Sequence, residues 1–184
     1  MLLRNATIED KSILQEWDKL PHVIDSDPND EWDWEEMLSN EKSWRELLVA
    51  VYNDEPIGFV QILDPEKEET NYWGEMSSGY RAIDIWIGPE DKLGQGHGTA
   101  IMGMVVDSIF LDNSVNSILV DPLKSNVRAK KFYERIGFHF IEDRVFGDDI
   151  CSVMELKRSD WDFDSELDLP SRNLQARALA TPEE

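Results

Sequence analysis

LGQGHGT, residues 93–99, sets three glycines at alternate positions and runs straight into AIMGMVV, a stretch without charge. Before it, YRAIDIWIG (80–88) reads as a β-strand. After it, residues 98–111 carry no charge before Asp107 and are apolar on nearly every side, the composition of a helix buried all round. A strand, a glycine-rich turn and a helix N-terminus in this order aim several backbone N–H groups at one point, where the helix dipole also favours an anion. Glycine lets the backbone come close to that anion and adopt positive φ. The stretch therefore reads as a cradle for a pyrophosphate. A tight turn that merely packs strand against helix is the other reading of these seven residues alone.

Two well-known phosphate loops do not fit. The ATP-type loop needs a lysine and a hydroxyl residue after its last glycine, and Gly98 is followed by Thr99 and Ala100. The dinucleotide fingerprint needs wider glycine spacing on an early strand, whereas Gly94, Gly96 and Gly98 are two apart and late in the chain.

Outward from the loop, LLRNAT (2–7) predicts a strand, and Thr7 with Asp10 an N-terminal cap for a helix carrying Ile13, Leu14, Trp17 and Leu20 and ended by Pro21. Residues 22–46, rich in Asp, Glu and Trp, predict a loop and short helix at the border of a pocket. ELLVAVY (46–52) and PIGFVQIL (56–63) predict a hairpin turning at Asn53, Asp54 and Glu55. Residues 64–79 read as a connection. SILVDP (117–122) predicts a strand, and residues 125–138 a helix capped by Ser125 and stopped by Gly137. Residues 138–146 and 150–157 predict a final hairpin about Gly147, Asp148 and Asp149. The domain is expected over 1–160, with 161–184 an acidic extension. The order predicts one twisted α/β sheet with helices on both faces.

The chain has 184 residues, 39 acidic and 18 basic, and a net charge of −21. That charge opposes nucleic-acid binding and concentrates cations, so a polycationic amine is the expected partner; solubility is the other reading of the charge. The single cysteine, Cys151, excludes an internal disulfide, and three scattered histidines argue against a metal. No run approaches the roughly 18 apolar residues of a membrane span, and MLLRNATIEDK turns acidic before a signal core forms, so a cytoplasmic protein is expected, as monomer or homodimer.

The spacing of Gly96 and Gly98 resembles the acyl-CoA loop of the GNAT N-acetyltransferase superfamily. VDPLKSNVRAKKFYERIGF resembles its later segment, with Asn126, Ala129, Tyr133, Gly137 and Phe138 in matching positions. Within the superfamily, RAIDIWIGPEDKLGQGHGT, LVDPLKSNVRA and NYWGEM resemble the aminoglycoside 6'-N-acetyltransferases, which share Leu93 where the superfamily's loop usually has Gln or Arg. The resemblance implies the GNAT fold, a mixed and mostly antiparallel sheet, and transfer of acetyl from acetyl-CoA to a primary amine, without metal, by direct attack in a ternary complex.

It also implies roles. The CoA pyrophosphate meets Leu93, Gly94, Gln95, Gly96, His97, Gly98 and Thr99, with the His97 ring expected to point to solvent. Asn126 meets the pantetheine arm, unless it only belongs to the helix cap. The backbone of 84–88, with Trp86 and Ile87, polarises the thioester. Tyr133 protonates the leaving thiolate, its alternative being a core aromatic. Asp84 and Asp121 face the acceptor's ammonium groups, with Asp84 a base through water; their alternatives are a structural hydrogen bond and an Asp-Pro turn. Trp73 and Glu75 wall the acceptor, or form a surface loop. Cys151 is not needed as a nucleophile. The remaining alternatives for function are a GNAT acting on another small amine, a polyamine or a protein N-terminus, and a non-catalytic acyl-CoA-binding protein.

Overall fold

A computed structural model describes residues 1–29 and 32–162. Seven strands form one sheet in the order β1-β2-β3-β4-β5-β7-β6: β1 Leu2–Asn5, β2 Arg45–Tyr52, β3 Glu55–Leu63, β4 Tyr80–Ile87, β5 Ser117–Val120, β6 His139–Phe146 and β7 Asp149–Lys157. Only β4 and β5 run parallel; the other neighbours are antiparallel. The helices are α1 Lys11–Trp17, α2 Pro21–Ile24, α3 Trp34–Ser39, α4 His97–Phe110 and α5 Val127–Ile136. Helices α4 and α5 cover one face, where Ile101, Met102, Val105, Tyr133 and Ile136 join Val60 and Ile118 in the main core. Helices α1 and α3 cover the other, packing Leu14, Trp17 and Trp34 on Phe59.

The β2–β3 turn is tighter than the sequence indicates. Asn53 (φ 51°) and Asp54 (φ 65°) are both left-handed, the conformation a two-residue hairpin turn needs, and Glu55 already belongs to β3. Likewise Phe146 pairs with Asp149, leaving Gly147 and Asp148 as the final turn. Pro21 begins a helix rather than only ending one: it stands in the first turn of α2, where its missing N–H costs nothing. The cap of α5 is Asn126, not Ser125; Asn126 Oδ1 accepts from the Ala129 N–H at 3.0 Å. Asp10 accepts from the Thr7 N–H at 2.8 Å and pairs with Arg4 at 2.7 Å, tying β1 to the turn before α1.

Trp161, the first residue of the expected extension, is buried in the main core, and its indole donates to Asp107 at 2.8 Å. The rest of that extension beyond Asp162 lies outside the described residues. No described helix is long and apolar enough to cross a membrane.

The pairing of β4 positions the site. Strand β3 accompanies β4 from Ala82 to Ile87, but β5 touches it only at Tyr80↔Ser117, Arg81↔Ile118 and Ala82↔Leu119. Strand β5 ends at Val120, and Pro122, lacking an N–H, cannot extend the ladder. From Ile83 onward the two strands part. At the far end of β4, a Cβ on Gly88 would lie 2.0 Å from the Trp17 ring, so only glycine lets α1 pack so closely there.

Candidate active site

Where β4 and β5 part, a cleft of about 570 Å³ opens. It takes residues from both faces of the sheet. Tyr133 reaches it from α5; Asp84, on the opposite face beside Gln61, lines it from β4; Asp121 lines it from the end of β5. Among the described residues six carboxylates border it, those of Asp27, Glu68, Asp84, Asp121, Asp148 and Asp149, against the one guanidinium of Arg45. Such a concentration of like charge in a concavity draws cations in.

Gln61, itself buried, donates Nε2–H to Asp84 Oδ2 at 2.7 Å, and Tyr72 donates its hydroxyl to Asp121 Oδ2 at 2.7 Å. Both acids are partly buried, and each accepts from a neutral donor in these two contacts. The Tyr133 ring is buried, 5.2 Å from Phe132 and 5.6 Å from Phe138. Burial, then the negative charges of Asp84 and Asp121, push its phenol well above the ordinary tyrosine range. The group therefore keeps its proton through neutral pH, the state a general acid requires. Cys151 is pushed up to about 12 by burial and by Asp121, Asp149 and Asp27, so its thiol is protonated and a poor nucleophile.

The open edge of β4 supplies backbone. Gly88 N–H donates to Ile57 O at 3.0 Å, which fixes the alternation of the antiparallel ladder: residues 84, 86 and 88 turn their backbone groups to β3, and Ile85 and Ile87 turn theirs to the open side. Ile87 O accepts from the His22 ring at 2.9 Å. Trp86 therefore offers the site its ring rather than its N–H, and that ring belongs to the aromatic cluster of Trp32, Trp34 and Phe59.

At the mouth of α4 the cradle has the expected form. Gly94 (φ 72°) and Gly96 (φ 84°) are left-handed, and a Cβ built on either would meet no atom within 4 Å. The space above the loop is open. The first i→i−4 bond of α4 runs from Ala100 N–H to Gly96 O at 3.1 Å, so the N–H groups of His97, Gly98 and Thr99 precede the ladder and point out of the helix end. Leu93 N–H already donates to Glu90 O at 3.1 Å, and the Gln95 amide ties back to Asp91 O. Among these residues the backbone N–H groups at the start of α4 lie next to the open space at Gly94 and Gly96. The ring of His97 does not point to solvent: it is buried, 4.7 Å from the Tyr52 ring, and fastens the loop to β2.

Trp73 lines the cleft and is buried against Phe146 at 5.3 Å. Glu75 is exposed and is not part of the cleft wall. Asn126 lines the cleft while capping α5 with its Oδ1; its Nδ2 is the donor left for a ligand. Sequence reasoning missed Tyr72, Gln61 and His22. Gln61 alone had a readable signal, since it is the one polar residue in the apolar run GFVQIL. Among the described residues no group of His, Cys, Asp and Glu is arranged to hold a metal ion.

Comparison with known proteins agrees with this geometry. A family model described as acetyltransferase (GNAT) domain matches residues 7–146. The aminoglycoside N(6')-acetyltransferase type 1 of Klebsiella pneumoniae is 31% identical over 150 residues, covering 74% of this chain and 72% of that protein. A kanamycin resistance protein of Rhizobium radiobacter is 38% identical over 72 residues, 39% of this chain and 67% of that protein. The crystal structure of the aminoglycoside acetyltransferase AAC(6')-Ib in complex with coenzyme A and kanamycin superposes with a TM-score of 0.77 at 28% identity, covering 86% of this chain and 95% of that chain. Cradle, parted strands and matched family agree: the chain belongs to the GNAT acetyltransferase family and is an acetyl-CoA-dependent N-acetyltransferase.

Proposed function

We propose that the enzyme acetylates the 6'-amine of an aminoglycoside. The observation that carries this reading is the placement of Asp84, Asp121 and Tyr133 on one cleft at the parting of β4 and β5. CoA lies with its pyrophosphate on residues 94–99, its pantetheine beside Asn126 and its thioester along Ile85 and Ile87. An oxyanion that develops on the thioester carbonyl is met by backbone N–H from that edge.

The acceptor's ammonium groups sit among the carboxylates. An ammonium of pKa about 9 costs about 2.7 kcal/mol to deprotonate at pH 7, and Asp84, through water, takes that proton. The neutral nitrogen attacks the acetyl carbon, forming the C–N bond. Collapse of the tetrahedral intermediate breaks the C–S bond and Tyr133 gives its proton to the sulfur, while the attacking nitrogen, positively charged once the C–N bond has formed, loses its extra proton, which returns through water to the phenol. The carboxylates that the described residues place around one cleft suit a linear polyamine as well, which makes a polyamine the second reading. Acetylation assays with kanamycin, other aminoglycosides, spermidine and a peptide amine, read by mass and by NMR of the acetylated position, separate the two. Modification of kanamycin at the 6'-amine is the expected result; turnover of spermidine alone replaces the first reading by the second.

A further inference from the structure

Tyr72 lies in residues 64–79, a connection with no strand or α-helix. Asn71 (φ 56°) and Gly74 (φ 74°) bracket it in the left-handed region, so the chain bends sharply on both sides of the pair Tyr72 and Trp73. Trp73 turns inward, only 4% exposed, and Arg144 Nη1 donates to its backbone carbonyl at 3.2 Å. With the backbone pinned there, the Tyr72 ring lies flat on Phe146, 4.3 Å away and tilted by 6°, while its hydroxyl reaches Asp121. The connection, the end of β5 and the end of β6 thus meet at one phenol.

An aspartate at a strand end has several rotamers of similar energy, and a carboxylate that recognises an ammonium must be held in one of them. The ring stack fixes the phenol, and the phenol fixes the carboxylate. Tyr72 is 48% exposed, so solvent moderates the effect, but partial burial, the charge of Asp121 and its hydrogen bond raise the phenol above its ordinary range. It remains a donor at neutral pH.

We infer that Tyr72 is a positioning residue of the acceptor site: it holds the Asp121 carboxylate in the orientation that binds the acceptor's ammonium, and it sets affinity for the amine and not for CoA. The inference rests on the reading of Asp121 as an acceptor contact. Tyr72→Phe keeps the stack on Phe146 and removes only the oxygen.

In the free protein, carbon-13 NMR titration of the aspartates should place the Asp121 pKa higher in Tyr72→Phe than in the parent, because a hydrogen bond to the charged form is lost. Calorimetry should show kanamycin binding weakened about threefold to tenfold with the CoA dissociation constant unchanged. In the Asp121→Asn background, Tyr72→Phe should add less than about twofold. An unmoved Asp121 titration, or full additivity in that cycle, overturns the inference. Kanamycin binding that depends on Asp121 but ignores Tyr72→Phe overturns it alone, whereas a parent protein that binds no kanamycin overturns the acceptor reading and this inference together.

Discussion

Under the proposed function, the two halves of the active site are made of different material. The CoA half is backbone: the N–H groups of three consecutive residues at the start of α4, two left-handed glycines with open space above them, and the free edge of β4. The acceptor half is side chain, brought in from α2's outgoing loop, the 64–79 connection, Asp84 of β4, the end of β5 and the β6–β7 turn. Backbone recognition suits a cosubstrate that does not vary, since its donors are fixed by φ and ψ and survive most substitutions. Side-chain recognition changes with one codon, so the acceptor is where relatives on one fold can diverge.

The largest effect is expected where the backbone half is blocked. Gly96→Val puts a β-branched side chain into the space above the loop and forces it into a left-handed conformation that such residues avoid. CoA affinity should fall at least about a hundredfold, the loss of several charge-assisted hydrogen bonds at about 1.5–3 kcal/mol each. Calorimetry on folded protein checks this, and unchanged affinity would break the claim that backbone holds the pyrophosphate.

Next come the carboxylates. Asp84→Asn and Asp121→Asn preserve shape and remove charge, and each should raise the KM for a polycationic amine about tenfold to a hundredfold while CoA affinity stays within about twofold. The buried Gln61 donates to Asp84, so Asp84→Asn keeps an acceptor for that bond if the amide turns its oxygen to Gln61. A loss of CoA affinity in either variant would mean that the two halves are not separable.

The same division explains what the sequence disclosed. The cradle is contiguous, so strand, glycine turn and apolar helix lie side by side in 31 letters, from Tyr80 through Phe110, and their period and composition reveal them. Asp84 stands out inside an apolar strand and Asp121 at the end of another, and the family resemblance draws attention to both. Tyr72 was not legible, since its partners Asp121 and Phe146 are remote in sequence and its own segment has no period. His97 misled because a polar residue in a glycine loop reads as exposed, and only the β2–β3 hairpin folding over α4 buries it against Tyr52. Ser125 and Asn126 are both good caps, and adjacent good caps cannot be ranked by propensity.

Tyr133 belongs to both halves and tests where they join. Tyr133→Phe keeps the ring among Phe132 and Phe138 and should leave CoA binding and the melting temperature nearly unchanged. General acid catalysis is worth about 10²- to 10⁴-fold, but a thiol of pKa about 8.5 leaves fairly well unaided, so kcat should fall about tenfold to a hundredfold. The sign of the pH dependence follows from the raised phenol pKa: the acid stays protonated as pH rises, so kcat in the parent should climb as the acceptor amine loses its proton and show no alkaline fall from this tyrosine below about pH 10. A descending limb that disappears in Tyr133→Phe would show that the phenol ionises early, against what its surroundings require.

The smallest expected effect sharpens the comparison most, because it asks whether the acceptor half works through placed carboxylates or through negative charge in general. The chain carries a net charge of −21, and any acid on it attracts a polycation to some degree. Glu75 is the control: it sits two residues from Trp73, which lines the cleft, yet it is exposed and stands outside the cleft wall. At physiological salt an exposed charge is screened over about 8 Å, and a solvent-facing ion pair contributes at most about 1 kcal/mol. Glu75→Gln removes the same charge as Asp121→Asn and should change the KM for kanamycin by less than about twofold, with kcat untouched. Repeating both variants at low salt separates the contributions further, since the Glu75 effect should appear only there and the Asp121 effect should persist at high salt. If Glu75→Gln at physiological salt raised KM as much as Asp121→Asn does, net charge rather than geometry would select the acceptor, and the distinction between the two halves would shrink to that between a cradle and an acidic surface.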